Sequence, residues 1–343
     1  MSRSSRGRFA VVLLAAVYAS AVLAGFLAPY DPVEQNRLLA FAPPTRLHLV
    51  DDSGRLHLRP FVYALVPRPG TFDVYDEDRS RPYPIRLFPH GASYRLAALI
   101  PGDRHLFGVD EPARLFLMGS DEYGRDLFSR LIHGTQISPV AGLLAACLAV
   151  SVGLVIGGVA GFYGSVTDQV LMRVAELVMA VPWLYLLLAL RAALPLALEP
   201  IHAFLLVVVV IGVVGWARPA RLVRSVVLSA RTRDYVLAAR SFGASDARVL
   251  RRHVLPEALG VALTQLALLV PQCILAEVTL SFFGLGVGEP LPSWGNMLAG
   301  VQRFHVLASY WWMFLPGLAL VPLFLIYYAV TDVLHRRLVL RSP

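Results

Sequence analysis

The sequence contains no lysine: all 31 of its Lys/Arg positions are arginine. Within these 343 residues that absence excludes several chemistries. A GxxxxGK[ST] phosphate loop needs its lysine on the β/γ phosphates, and Schiff-base or lysine general-base catalysis needs the amine. An ATP-driven function would therefore draw its motor from another chain. Cysteine is scarce as well. Cys147 and Cys273 sit far apart in long apolar runs, which suits small buried hydrophobes rather than a disulfide framework or a metal set. The nine histidines show no metal-ligand spacing, and His48 and His57 fall on one predicted hairpin. Charge is the third shortage. Only 16% of residues are charged against 57% hydrophobic, and the mean hydropathy is +0.61. Such a surplus of apolar side chains calls for a bilayer as solvent.

What is present follows that reading. Six apolar runs approach the ~20 residues a membrane helix needs: Phe9–Ala28, Ile137–Gly161, Val170–Leu190, Ala203–Trp216, Ala258–Leu280 and Tyr310–Val330. The fourth is the shortest and can run on through Ala217. The first is longer than a signal-peptide core of ~7–15 residues, so an uncleaved first helix is expected. Arginine sets the orientation. Arg3, Arg6 and Arg8 precede the first run; nine lie between Arg218 and Arg252; Arg336, Arg337 and Arg341 follow the last. By the positive-inside rule these segments are cytoplasmic, with both termini. Residues 29–136 lie opposite and carry 13 Arg against 14 Asp and Glu.

That exported segment is expected to be β-rich. Thr45–Val50 and Arg55–Leu65 alternate apolar with polar around an Asp51–Gly54 turn. Tyr83–Phe88 and Ser93–Ile100 read as two more strands paired around His90-Gly91, and the acidic run Asp73–Asp78 as a solvated loop. The expected organisation is a tail and first helix over 1–28, an extracytoplasmic insert over 29–136, and a transmembrane domain over 137–343. A cytoplasmic loop occupies 218–256 of the last part.

Within the second run, Ala141, Ala145, Ala149, Gly153, Gly157 and Gly161 recur every four residues, a stripe on which another helix backbone can approach closely. Arg173 and Glu176 are i, i+3 neighbours and read as an ion pair. Glu277, near the outer end of the fifth run, is expected on a water-filled pathway or in a gate hydrogen bond rather than snorkelling to an interface.

The cytoplasmic loop is the most informative stretch. Tyr235, Ala238, Ala239 and Phe242 fall at i, i+3, i+4, i+7, one face of a short helix. Gly243 is a helix stop and Ser245 a cap for the next helix. Pro256 opens the fifth membrane helix, where a missing N–H costs little. A compact, basic helix–turn–helix results.

This loop resembles the EAA motif of ABC importer permeases. Ala238, Ala239, Gly243, Leu255 and Pro256 are in register with that motif. Leu237 stands at its glutamate and His253 at its isoleucine, with Asp234 one turn earlier as the substitute carboxylate. Two further segments narrow the resemblance to the dipeptide, oligopeptide and nickel importer permeases, C-type subunit. They are Gly119-Ser-Asp121-Glu-Tyr-Gly124-Arg125-Asp126 with Ser129-Arg130, and Leu280–Gly286 followed by Pro292–Leu298.

The resemblance implies an all-α polytopic fold of six transmembrane helices, the β-rich insert lying between helices 1 and 2. It implies a permease subunit in the cell inner membrane that forms half of a pore for di- or oligopeptides. The coupling loop would be Asp234, Tyr235, Leu237, Ala238, Ala239, Arg240, Phe242, Gly243, Leu255 and Pro256. Glu277, Phe282, Phe283, Gly284 and Trp294 are candidates for the pore or gate, the aromatics either closing it or anchoring at the interface. Partners implied are a second homologous permease, two ABC ATPases carrying ATP-Mg, an extracytoplasmic binding protein and membrane lipid. Nucleic acid is not implied, and the chain itself needs no cofactor and catalyses nothing. Nickel chelates or another small solute are the alternative cargo. An intramembrane enzyme would need a convergent constellation, whereas Ser151, Ser281 and His202 lie on separate runs.

Overall fold

Apolar runs become helices in a membrane protein because a backbone facing lipid has to satisfy its own hydrogen bonds. The computed structural model describes residues 3–71, 73–96, 99–195 and 198–339; Arg341 of the C-terminal arginines lies outside them. Its helices in chain order are α1 (Arg3–Val22), α2 (Ala24–Leu27), α3 (Leu127–Gly134), α4 (Ser138–Tyr163), α5 (Ser165–Ala180), α6 (Trp183–Ala192), α7 (Pro200–Gly215) and α8 (Ala217–Ala230). They continue with α9 (Asp234–Ser241), α10 (Asp246–Val249), α11 (Leu255–Phe282), α12 (Trp294–Ala299), α13 (Phe304–Ser309) and α14 (Leu315–Val339).

Among the described residues, three helical stretches are long and apolar enough to cross a membrane: Leu127–Tyr163, Asp246–Phe282 and Trp311–Leu334. Two bent pairs bring the number to as many as five. The expected unbroken span Val170–Leu190 is one of these. It is bent by 91° between α5 and α6, because Pro182 holds Val181 extended at φ −82° and ψ 131°. The expected span Ala203–Trp216 runs on as α7 and α8, bent by 44°. In the first run the apolar helix covers Gly7–Val22 and is interrupted at Leu23 before the short α2.

The described chain forms two compact units, one of residues 3–14, 140–280 and 322–339, the other of 15–139 and 281–321. In the first unit the small-residue stripe of α4 packs on α8. Cβ atoms added at Gly153, Gly157 and Gly161 would run into the backbone of Trp216, Ala220 and Arg224 respectively. Ala141, Ala145 and Ala149 are fully buried. Asp168 of α5 and Arg224 of α8 form an ion pair. Arg173 and Glu176 pair at 3.0 Å on the exposed side of α5.

The second unit carries the strands: β1 (His48–Val50), β2 (Leu56–Pro67), β3 (Tyr75–Pro84), β4 (Arg86–Leu87), β5 (His90–Leu96), β6 (Ile100–Arg104) and β7 (Phe107–Gly108). β1 and β2 pair antiparallel across the expected turn. Asp51 Oδ1 there accepts from the amides of Ser53 and Arg55, both at 2.9 Å. Those bonds, with the Ser53 hydroxyl and His57, hold the Asp51 carboxyl well below the usual range. The remaining strands differ from expectation. Asp76, Glu77 and Asp78 belong to β3, which pairs with β2; they do not form a loop. Their charge is tolerated because opposite partners or solvent sit beside them. His48 meets Glu77 at 3.0 Å, Arg79 meets Glu77 at 3.4 Å, Arg68 meets Asp76 at 2.5 Å, and Asp78 is exposed to solvent. β4 pairs with β7 and β5 with β6, so Tyr83–Phe88 and the described part of Ser93–Ile100 are not partners; residues 97 and 98 lie outside the described residues. Val62, Ala64, Tyr83, Ala113 and Leu115 form the core beneath.

Candidate functional site

In the first unit, residues 233–256 are shaped by one apolar anchor. Val236 of α9 is fully buried with Val223, Val227, Val249 and Val254, and Ala239 and Ala244 pack beside it. The expected face of Tyr235, Ala238, Ala239 and Phe242 is therefore divided. Ala239 turns inward with Val236, while Tyr235, Leu237, Ala238 and Phe242 are left at the surface. Phe242 is 91% exposed and Leu237 50%.

The turn after α9 is a Schellman motif. Ala244 N–H donates to Ala239 O at 3.1 Å and Gly243 N–H to Arg240 O at 2.9 Å, and Gly243 takes φ +80°, as this motif requires of its C′ residue. Ser245 stands at the N-cap of α10, but its side chain makes no capping bond, contrary to expectation. α10 then runs through a π turn, Leu250–Val254, into α11. Pro256 thus lies inside a nearly continuous helix rather than at its opening. The π turn shifts the hydrogen-bond register just ahead of a ring that would clash with an α-helical carbonyl four residues back.

Polar contacts fix the surface groups. Tyr235 donates its hydroxyl to Glu257, which also pairs with Arg233 at 3.2 Å. Arg240 lies 5.0 Å over the Phe162 ring and 3.3 Å from Asp246. Asp234 is exposed in the first turn of α9. Leu255 reaches Gly158 of α4.

Also in this unit, a cavity of about 560 Å³ opens beside the break at Pro182, lined by Pro182, Trp183, Arg218, Gln272, Ala276 and Thr279 among others. Glu277 is not among its lining residues and is fully buried in α11. The residues of α11 that meet the cavity are its neighbours, because successive helical residues point some 100° apart.

In the second unit, the loop after α11 begins at Phe282 and Phe283. Their rings meet edge-on at 5.2 Å, and Phe283 is 56% exposed. Gly284 ends the helix at φ +73°, and the Ser281 hydroxyl accepts from Val287 N–H at 3.1 Å. Trp294 is packed inside the unit. It is 4% exposed; its Nε1 donates to Leu131 O and its amide to the Ser138 hydroxyl, both at 3.0 Å. Ser293 and Asn296 close a capping box at the start of α12.

Sequence reasoning missed the residues that bind this loop to the Gly119–Arg130 segment. Arg125 donates to Asp121 at 2.7 Å and to Glu289 at 2.8 and 3.2 Å. Arg130 donates to Glu289 at 2.8 and 3.4 Å and to Pro32 O at 3.2 Å. The carboxylates of Asp121 and Glu289 outweigh the burial of Arg125 and hold its pKa above the ordinary arginine value. The signal was available: two arginines in one motif and a carboxylate within a glycine-rich loop. Asp126 caps α3 through Ser129 N–H at 2.8 Å, and burial pushes its carboxyl up to about 6.

Residues 153–340, more than half of the chain, match the model of one family, the binding-protein-dependent transport system inner membrane component. The chain belongs to this family. It is 38% identical over 200 residues to the dipeptide transport system permease protein DppC of Bacillus subtilis, covering 58% of this chain and 60% of that protein. It is 37% identical over 215 residues to the oligopeptide permease OppC of the same organism, covering 62% and 68%. A putative peptide permease of Brucella suis is 38% identical over 232 residues, covering 68% and 72%. Among solved structures, an inward-facing form of the MetNI methionine ABC transporter aligns over 62% of this chain and 97% of that one. The identity is 18% and the TM-score 0.48, too loose a likeness to carry an argument.

Proposed function

We propose that this family member is a membrane-spanning permease subunit of an ATP-driven importer of di- or oligopeptides, coupled to cytoplasmic ATPases through α9 and the turn after it. One observation carries the reading: α9 is held to its unit by Val236 and Ala239 while presenting Tyr235, Leu237, Ala238 and Phe242 outward. A short helix so built transmits force from a partner without deforming. Leu237 at the motif's glutamate makes the contact more apolar, with Asp234 the nearest exposed carboxylate on the same helix.

The remaining features fit this assembly. The lysine-free chain depends on partners for ATP hydrolysis, two ATPases gripping this chain and a second permease. The bent pairs count as spans, α1 supplies the sixth, and the arginine-rich loop and both termini lie in the cytoplasm. The strand-bearing insert faces outward, toward a substrate-binding protein. The cavity beside Pro182 lines one side of the pathway, and the cargo is read from relatives named as peptide permeases.

Reconstituted with its partners, the wild-type chain is expected to support ATP-dependent uptake of a labelled dipeptide, and Phe242→Asp to abolish it at equal expression. Uptake by Phe242→Asp at the wild-type rate would remove α9 from coupling. ATP hydrolysis by the purified chain alone would overturn the non-catalytic assignment.

A further inference from the structure

The polar cluster of the second unit buries more positive charge than its own carboxylate balances. The side chains of Arg125 and Arg130 are 7% and 1% exposed. Among the described residues, the only carboxylates paired with either are Asp121, itself 7% exposed, and Glu289. Glu289 is different in kind. Its side chain is 46% exposed; it stands beside Gly288, where an added Cβ would have no neighbour within 4 Å, between Val287 and Leu291, whose carbonyls both accept from Asn296 Nδ2. Both guanidiniums nevertheless converge on this one carboxylate, each donating to both oxygens over 2.8–3.4 Å. Paired planar forks of this sort are how arginines receive a free carboxylate. A cavity of about 300 Å³ adjoins them. Its other charged groups, Glu122 and Arg303, pair with each other.

We propose that Arg125 and Arg130 form a carboxylate-binding site, that Glu289 fills it here as an internal ligand, and that the C-terminal carboxylate of a peptide replaces it. The choice of ligand rests on the peptide-permease reading. Were the loop to swing away alone, two buried guanidiniums would face a single aspartate, leaving an uncompensated buried charge, which is strongly unfavourable. An arriving carboxylate removes that penalty. Loop release and carboxylate binding are then one equilibrium, each favouring the other. The site recognises the group shared by every peptide with a free C-terminus and ignores its side chains.

The test is equilibrium binding of radiolabelled Ala-Ala to the full chain in detergent, wild type against Glu289→Gln. Removing the internal competitor is expected to tighten binding by about tenfold. Ala-Ala-amide should fail to compete, and Arg125→Gln in the Glu289→Gln background should abolish binding. In a Cys147→Ala, Cys273→Ala chain, a thiol at Leu291→Cys should label faster when Ala-Ala is added. Equal affinity in wild type and Glu289→Gln, or equal competition by the amide, overturns the site. Acetate competing as well as Ala-Ala overturns the assignment to peptides. Should Arg125→Gln fail to fold, competition of Ala-Ala against Ala-Ala-amide on the wild-type chain decides alone, since it needs no substitution. Uptake by the whole complex is measured separately, so binding without ATP-dependent uptake sinks the importer reading and leaves the site standing.

Discussion

Substituting one of two adjacent glycines on α4 isolates the worth of the helix seam. A Cβ at Gly157 would overlap the Ala220 carbonyl oxygen and sit 3.0 Å from Val223 Cβ. Neither can yield without moving the α8 backbone. A Cβ at Gly158 meets only the end of the Leu255 side chain, Cδ2 at 2.8 Å, with the next atom at 3.8 Å. Both substitutions to alanine gain the same helix propensity, about 1 kcal/mol. Overpacking against rigid neighbours costs about 1–3 kcal/mol, whereas a side-chain terminus can rotate aside. Gly158→Ala should therefore be neutral or slightly stabilising, and Gly157→Ala less stable than it by about 1–3 kcal/mol. For a chain of 343 residues that separates their melting temperatures by roughly 1–4 °C. Thermal aggregation of the detergent-purified chains, followed by size-exclusion chromatography, reads the difference. If Gly157→Ala melts at or above Gly158→Ala, α4 and α8 do not pack backbone to backbone and the reasoning fails.

Trp294→Phe keeps most of the buried ring and removes the Nε1 bond to Leu131 O; a loss of about 0.5–1.5 kcal/mol is expected, against about 3–5 kcal/mol for Trp294→Ala, both readable in the same melts. Asp126 gives a pH dependence. Its folded-state pKa of about 6 lies above the ordinary aspartate value of 3.8, so its contribution to stability is full below about pH 4 and is lost as pH rises through 6. Asp126→Asn should flatten the stability profile between pH 4 and 7, and an unchanged slope would show that the carboxyl titrates normally. Gly243→Ala has steric room but must hold φ +80°. About 1 kcal/mol of local destabilisation is expected, seen as faster amide exchange over residues 239–246 with the spans unaffected.

Legibility in the sequence followed the range of the interaction. The Asp51–Gly54 turn, the Gly243 stop and the Arg173–Glu176 pair are set by neighbours within a few residues, and each could be read directly. The small-residue stripe gave away a seam but not its partner, since α8 is some 60 residues further along. The start of β3, Tyr75–Asp78, reads as part of a loop because its acids look solvated until Arg68, Arg79 and His48 are brought alongside. The bend at Pro182 was hidden by hydropathy averaged across it. In the candidate sites, the exposed part of α9 depended on which residue the core claims: spacing favoured the Tyr235 face, and packing chose Val236. Glu289 was missed because its two arginines lie about 160 residues away.

The three-stranded sheet ends on β3, whose free margin carries charged residues and two prolines, Pro82 and Pro84. Proline offers no N–H to an incoming strand, and charges along an edge discourage one from settling there. Along this edge, recognition by another protein would run through side chains, because the β3 backbone is poorly suited to extension by another chain's strand.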